Sequence, residues 1–179
     1  MSEEGSAIFK QYVDYHNSAI EKYGEKSICL MMVGSFYECY SVSSDETIIG
    51  PDLHELSDIL NIIVTRKDKK KEHTINNPLM LGFPDHSVNK FKKVLLDEGY
   101  TITIIDQVTP SPNPRRDIVE VCSPGTVIND FSRDIDNYLA SIYIECGEVN
   151  GKKIHTVGIT LINVQTGKNL INHISSPIS

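Results

Sequence analysis

The sequence predicts an α+β (mixed α/β) fold, a mixed sheet flanked by helices, with the first strands of a second domain behind it. Three observations predict it. Short β-branched or apolar runs at 28–33, 100–108 and 118–122 alternate with stretches of helical period at 7–23, 53–60 and 88–98. Gly24, Pro51 and Gly99 fall at the junctions between the two kinds of run. The chain has 179 residues, enough for one domain of typical size and the beginning of another.

Taken in order, Ala7 to Tyr23 brings Ile8, Tyr12, Tyr15, Ala19 and Ile20 near helical spacing, and Gly24 stops the helix. Ile28 to Val33 is a buried strand, with Val33-Gly34-Ser35-Phe36-Tyr37-Glu38-Cys39-Tyr40 at its exit. Glu46 to Gly50 is expected to pair with that strand as a short second one. Behind Pro51, Asp52 acts at the start of a helix that lines up Leu53, Leu56, Ile59 and Leu60. Leu60 to Arg66 is β-branched and strand-like, and Lys67-Asp68-Lys69-Lys70-Lys71 after it reads as a mobile hairpin. Gly82-Phe83-Pro84 is a turn that ends a strand, with His86 in a loop near a helix start.

Ser87 is expected to cap a helix from Val88 to Glu98. Val88, Phe91, Val94 and Leu95 then face inward, Lys90, Lys92 and Lys93 are more exposed, and Gly99 takes the C′ position. Tyr100 to Val108 alternates as a strand, Pro110 to Pro114 is a stiff extended loop, and Ile118 to Cys122 is a further strand before the Pro124-Gly125 turn. Strands Ile142–Cys146 and His155–Val164 should be joined at Glu148–Gly151, because Asn150-Gly151 is the strongest two-residue hairpin signal.

A formal net charge of −7 argues against nucleic-acid binding, because phosphate contacts need Lys and Arg, but what matters locally is the distribution. Arg66, Lys67, Lys69, Lys70 and Lys71 form one basic cluster, Lys90, Lys92 and Lys93 a second, and Arg115-Arg116 a third. Taken singly, each of these reads first as a solvated face. The four cysteines make no Cys-x-x-Cys pair and no zinc-like spacing with histidine; Cys29 and Cys122 sit in apolar runs, which places the chain in a reducing, intracellular compartment. The acidic amino terminus has no apolar core of a signal peptide, and the longest apolar runs are too short to cross a bilayer.

The octet at 33–40 is the stretch with chemistry in it. If it is extended, its period of two puts Phe36 and Glu38 on one face. A flat apolar ring beside a hydrogen-bond acceptor suits a base step, the ring wedging between bases while the carboxylate reads an edge. The same residues also suit a core strand, with Phe36 packed inward and Glu38 holding a neighbour.

Gly34-Ser35-Phe36-Tyr37-Glu38-Cys39-Tyr40 resembles the Gly-Asp-Phe-Tyr-Glu-Leu-Phe motif of the MutS DNA mismatch-repair proteins, and further blocks follow in the family's order. Leu60-Asn61-Ile62-Ile63-Val64-Thr65-Arg66 is similar to Leu-Asp-Ile-x-Leu-Thr-x-Arg, with Asn61 in place of Asp. Pro78 to Ser87 matches Ile-Pro-Met-Ala-Gly-Val-Pro-Tyr-His-Ala at Met80, Gly82, Pro84 and His86, but has Asp85 for Tyr. Ile105-Asp106-Gln107 resembles Ile-Cys-Glu-Gln. Arg116 to Thr126 resembles Arg-x-Val-x-Arg-Val-Val-Thr-Pro-Gly-Thr, with acidic Glu120 where a basic residue is usual. Asn137 to Ile142 and Thr166-Gly167 resemble the opening of the family's second domain, the connector. The resemblance divides the chain into a mismatch-recognition domain at 1–130 and the start of an RNase H-like connector at 131–179, a truncated one because two or three strands do not close its sheet. The departures mark a divergent branch.

The resemblance implies that Phe36 stacks on a mispaired base and that Glu38 hydrogen-bonds to it. It implies double-stranded DNA with mismatches or small loops as the partner, with no membrane. Lys69, Lys70, Lys71, Lys92 and Arg115 are the candidate contacts to the DNA backbone. ATP and magnesium belong to the full-length family's ATPase; no Gly-x-x-x-x-Gly-Lys-Ser/Thr occurs here and no histidine sits in a nucleophile motif, so no catalysis, cofactor or metal is expected of this chain. The family's dimer relies on parts beyond these residues, so a monomer is expected. Two other readings compete: a divergent module of the same family that docks partners without sensing mismatches, and an unrelated small enzyme with a deep pocket away from Phe36.

Overall fold

Ser27–Val33 forms β1, the strand about which the first sheet is built. Its residues 27–31 are all buried, which explains why the run is continuously apolar and does not alternate. The computed structural model describes residues 2–43, 48–110, 114–126, 138–163 and 166–177, with side chains from residue 6 onward. The chain divides into two compact units, 1–124 and 125–179.

In the first unit β1 is followed by β2 (Phe36–Ser43), β3 (Ile48–Ile49), β4 (Thr65–Arg66), β5 (Leu79–Pro84), β6 (Thr101–Gln107) and β7 (Arg116–Cys122). They form one mixed sheet in the order β4-β5-β2-β1-β6-β7, with β3 added to β2. β1 and β6 run parallel, Ser27 opposite Thr101, while the other pairings are antiparallel. Three helices accompany the sheet: α1 (Ser2–Tyr23), α2 (Leu53–Leu60) and α3 (Val88–Asp97).

The inward stripe of α1 is Phe9, Tyr12, His16 and Ala19, at alternating spacings of three and four. Tyr12 packs edge-on against Tyr40 of β2 and donates from its hydroxyl to the Cys29 carbonyl of β1 at 3.2 Å. Gly24, at φ 95°, ends the helix as expected, its N–H bonded to the Ile20 carbonyl. On the opposite face of β2, Tyr37 and its cross-strand neighbour Phe83 pack towards Phe91 of α3. Alternation along β2 therefore places α1 and α3 on opposite sides of the sheet.

The Asp52 carboxylate accepts from the amides of His54 and Glu55, the N-cap that the sequence led us to expect. The strand expected over Leu60–Arg66 is cut to Thr65–Arg66. Asn61 turns into the left-handed region at φ 53° to end α2, and Ser57 holds the next residues back on the helix, its hydroxyl donating to the Ile62 carbonyl. Local capping outweighs β-branching there. The short strand at Ile48–Ile49 pairs with Val42 and Ser43 of β2, not with β1 as the sequence suggested, because β1 already lies between β2 and β6; Glu46 lies outside the described residues.

At α3, Ser87 lies in the right-handed helical region and makes no capping bond from its side chain. A 3₁₀ turn, Asp85–Ser87, leads into the helix instead. The C-terminus is as read: Gly99, at φ 85°, bonds to the Leu96 carbonyl and Tyr100 to that of Leu95, a Schellman pair. The buried face of α3 is Phe91, Lys92, Leu95 and Leu96. Val88 and Val94 are only half-buried and Lys92 is not on the exposed side, a shift of the stripe away from the expected one.

In the second unit β8 (Tyr138–Val149), β9 (Lys152–Asn163) and β10 (Asn169–Pro177) form an antiparallel sheet in the order β10-β9-β8. Asn150 and Gly151 both have positive φ, 52° and 74°, the signature of a type I′ hairpin turn at the expected place. The strands run longer than the sequence reading, and β10 was not foreseen. Asn137, Val164 and the centre of the Pro110–Pro114 loop lie outside the described residues.

His16 is 3% exposed, stacks on Tyr12, and its Nδ1 has no hydrogen-bond partner among the described residues. Burial pushes its pKa down to about 4. The folded value lies below the unfolded one, so the unfolded chain takes up the proton first: this stability is fully present above pH ~6.5 and is lost as pH falls towards 4. Urea unfolding should show His16→Gln losing roughly 2–3 kcal/mol less than the unsubstituted chain between pH 7 and pH 4.5.

Candidate nucleic-acid interface

The β1–β2 hairpin presents the octet. Val33 pairs with Phe36, leaving Gly34 and Ser35 as a two-residue turn. Gly34 is at φ 65° and Ser35 is not in the positive region, the pattern of a type II′ turn, whose first position glycine fills without strain. Two hydrogen bonds hold that turn, and Arg116 backs one of them. The Asp85 N–H donates to the Ser35 carbonyl at 2.9 Å. Gln107, with its amide oriented to satisfy both neighbours, accepts from the Gly34 N–H at 3.2 Å and from Arg116 Nη2 at 3.1 Å. Arg116 in turn donates from Nε to the Met32 carbonyl at 2.9 Å and from Nη1 to Gln11 at 3.1 Å.

From this fixed turn Phe36 projects with 44% of its surface exposed. Glu38 and Tyr40 follow on the same face by strand alternation. Glu38 is half-buried, and Tyr40 donates its hydroxyl to Glu38 Oε2. Burial raises the Glu38 carboxyl above the ordinary range; the Tyr40 hydroxyl bond and the cations of Arg116 and Lys67 oppose that rise. Across the ladder from Glu38 stands Gly82 of β5, where a Cβ would lie 2.9 Å from the Tyr37 carbonyl oxygen and 3.0 Å from Glu38 Cγ. Glycine at this position leaves room for the carboxylate.

The five basic candidates divide. Lys69, Lys70 and Lys71 are exposed on the segment between β4 and β5. That segment is tied, where the sequence suggested mobility. Asn77, buried, accepts from the Asp68 N–H and donates to the carbonyls of Asp68, Lys71 and Glu72, and Arg66 donates to the Lys69 carbonyl. Lys71 also pairs with Asp68 at 3.4 Å. Arg115 is open to solvent beside Asp117 at 2.9 Å, a surface pair of little energetic weight.

Lys92 is the correction. Its side chain is 10% exposed and its ammonium lies 2.7 Å from both carboxylate oxygens of Glu120, so it faces a carboxylate on β7 and not a phosphate. The acidic residue at 120 is explained by the same contact. Sequence reasoning passed over Asn77, Gln107 as a clamp, and Arg116 as a buried guanidinium. The one signal available was Arg116's position at the head of an apolar strand.

A family model described as MutS domain I matches residues 7–131. The chain belongs to the MutS family. Among its relatives are a mutS homologue of Acanthamoeba polyphaga mimivirus, 30% identical over 94% of this chain and 15% of the relative. The DNA mismatch repair protein MutS of Flavobacterium psychrophilum is 31% identical over 90% of the chain and 16% of the relative, and that of Staphylococcus carnosus 30% over 78% and 15%. The chain thus spans about 15% of the length of the curated relatives it matches. The match of domain I falls on the sheet and helices that carry the octet of this MutS-family chain.

Gly167-Lys168-Asn169 is the stretch that comes nearest in sequence to a phosphate-binding loop. Gly167-Lys168-Asn169 leads from a turn into β10, with no helix N-terminus to receive a phosphate. Among the described residues no cluster of His, Cys, Asp or Glu could hold a metal ion, and no helix is long and apolar enough to cross a membrane.

Gly82→Ala should lower stability by about 1–3 kcal/mol, since the contacts the methyl meets include backbone. Carbon-detected NMR titration of the Glu38 carboxyl checks the cause: displaced towards water, it should titrate lower in the variant than in the parent chain.

Proposed function

We propose that this chain is the mismatch-recognition module of a MutS-like DNA repair protein, with Phe36 inserted at a mispaired or unpaired base and Glu38 hydrogen-bonded to that base. The observation that carries the reading is the half-exposed Phe36 ring on a clamped two-residue turn, with a partly buried carboxylate two residues along the same face. A mispaired step is poorly stacked, so opening and kinking it costs less than at a matched pair; unstacking costs a few kcal/mol per step, and that difference supplies the discrimination. The raised Glu38 carboxyl favours a protonated donor facing a base acceptor in the low-dielectric gap that the ring opens.

Lys69, Lys70, Lys71 and Arg115 provide sequence-independent attraction to phosphate. In the whole protein, ATP hydrolysis with magnesium and the pairing of subunits belong to segments outside these residues. This chain contributes recognition without catalysis, binds duplex DNA with mismatches or small loops, and acts as a monomer inside a reducing compartment.

Gel-shift titrations of G·T against G·C duplexes test the reading. The parent chain should favour G·T, and Phe36→Ala should abolish that preference while keeping binding to matched DNA. Equal affinity for both duplexes in the parent chain would instead make this a docking module without mismatch sensing. Replacing Lys69, Lys70 and Lys71 together by alanine should flatten log Kd against log salt by about three units, roughly one per lost phosphate contact. Glu38→Gln should retain the G·T preference, because the amide mimics a protonated carboxyl; a severe loss would exclude the protonated form.

A further inference from the structure

At the end of β1 away from the octet, a cavity of about 190 Å³ lies between α1, the start of β1 and the start of α2. Ser27 opens β1 and Val33 ends it, roughly 20 Å further along the strand, so this cavity and Phe36 are separate places on the first unit. His16 and Ser27, each 3% exposed, form the closed end of the cavity, while the exposed residues Glu25, Asp52 and Glu55 stand at its rim. Neither His16 Nδ1 nor Ser27 Oγ has a hydrogen-bond partner among the described residues. An unpaired buried polar atom is costly, and here two such atoms belong to residues lining one space.

The rim decides the sign of a ligand. Glu25, Asp52 and Glu55 enter no ion pair among the described residues. The Lys26 ammonium lies over the Tyr100 ring, 5.2 Å from its centre, and is not part of the lining. A helix start ordinarily draws anions, but the first free amides of α2 are taken by the Asp52 carboxylate. Among the described residues no group of His, Cys, Asp or Glu could hold a metal ion, which points to an organic cation.

We propose that this cavity binds a primary alkylammonium group, carried by a free diamine or by a lysine side chain of another protein. An ammonium has three N–H donors and no acceptor. His16 Nδ1, Ser27 Oγ and a rim carboxylate offer it three acceptors from different elements, which suits a tetrahedral head better than a planar guanidinium. Burial pushes the His16 pKa down to about 4, so its imidazole is neutral at pH 7 and accepts at one nitrogen. Glu55 gives one oxygen to the Tyr100 hydroxyl at 3.0 Å and keeps the other for the ligand. Ile20 and Leu56, also in the lining, flank the alkyl chain. The volume is below the ~300–1,000 Å³ of drug-sized sites and suits a short aliphatic amine.

The full 179-residue chain, at pH 7 and constant ionic strength, is titrated with n-butylammonium while the His16 ring nitrogens and the Ser27 amide are followed by NMR. Saturable shifts at both residues are expected. Butan-1-ol, which lacks the charge, and tetramethylammonium, which lacks N–H donors, should each bind about 10-fold more weakly or worse. Ser27→Ala should weaken butylammonium binding about 2- to 10-fold, the range of one hydrogen bond, and Glu25→Gln or Glu55→Gln about 2- to 5-fold, the range of an exposed charge pair. Lysine capped at both ends and 1,4-diaminobutane separate the sources: capped lysine binding at least as tightly as the diamine assigns the site to a protein side chain, and weaker binding assigns it to free diamines. Phe36→Ala should leave butylammonium binding unchanged, so this site and the mismatch reading can each fail without the other. No saturable shift at His16 and Ser27, control ligands binding as tightly as butylammonium, or parent affinity in all three pocket variants would overturn the proposal.

Discussion

The Arg116 guanidinium holds the presenting hairpin in place. It is buried at the start of β7 and reaches the Met32 carbonyl, Gln11 of α1 and, with Gln107, the turn at Gly34. Its own carbonyl accepts from the Tyr15 hydroxyl at 2.8 Å. A buried charge is costly unless its donors are satisfied, and arginine's planar fork meets several acceptors at once. Lysine, a point charge, would satisfy fewer of them. One residue therefore joins α1, β1, β6 and β7 and fixes the angle at which Phe36 leaves the sheet. The same cation opposes the rise that desolvation gives the Glu38 carboxyl. Geometry of the ring and protonation of the carboxylate are thus coupled through one side chain.

Net charge and local charge do different things in this protein. The sum of −7 coexists with a lysine-rich segment whose backbone is gathered by the buried amide of Asn77. An amide in that position satisfies three carbonyls and one N–H that would otherwise depend on water, so the lysines are displayed from an ordered base. Lys92 shows the converse. Its aliphatic stem lies along the apolar face of α3 while the ammonium reaches Glu120, and the pair is a packing feature joining α3 to β7. A cation and its clustering in sequence do not reveal which of these uses it has.

The parts legible in the sequence are those set by local rules. Gly24, the Asp52 cap, the Gly99 terminus and the Asn150-Gly151 turn each need one special backbone conformation, and each stands where the chain said it would. The illegible parts depend on partners far away in the chain. Ile62 and Ile63 have strand propensity, but the Ser57 and Asn61 caps hold the chain against α2. Ile48 and Ile49 pair with whichever strand has a free edge, and propensity does not choose β2 over β1. Phe9 and His16 lie on the buried stripe of α1, and which side of the helix meets the sheet is left undetermined by periodicity. At the site, Phe36 and Glu38 stood out through a resemblance, while Gly82 and Gln107 carry no chemistry until the fold brings them to the octet, and Asn77 none until it gathers the lysine-rich segment.

The exposure of Phe36 weighs against a merely structural role for the octet. Burying a phenylalanine side chain is worth about 1.5–3 kcal/mol, so leaving nearly half of it in water forgoes roughly 1 kcal/mol. The strand is able to bury aromatics: Tyr37 and Tyr40, on either side of Glu38, are 6% and 7% exposed. The loss is confined to the residue next to the turn, and the turn itself is rigidly clamped, so the ring is not a frayed end. On the same face the Glu38 carboxylate is partly desolvated where a solvated position would cost nothing, and Gly82 opposite it leaves space that a larger residue would take. Ring, carboxylate and space each cost the isolated domain some stability. All three losses fall together at β2 and its neighbour β5, beside one clamped turn, where an apolar ring and a hydrogen-bonding group lie side by side.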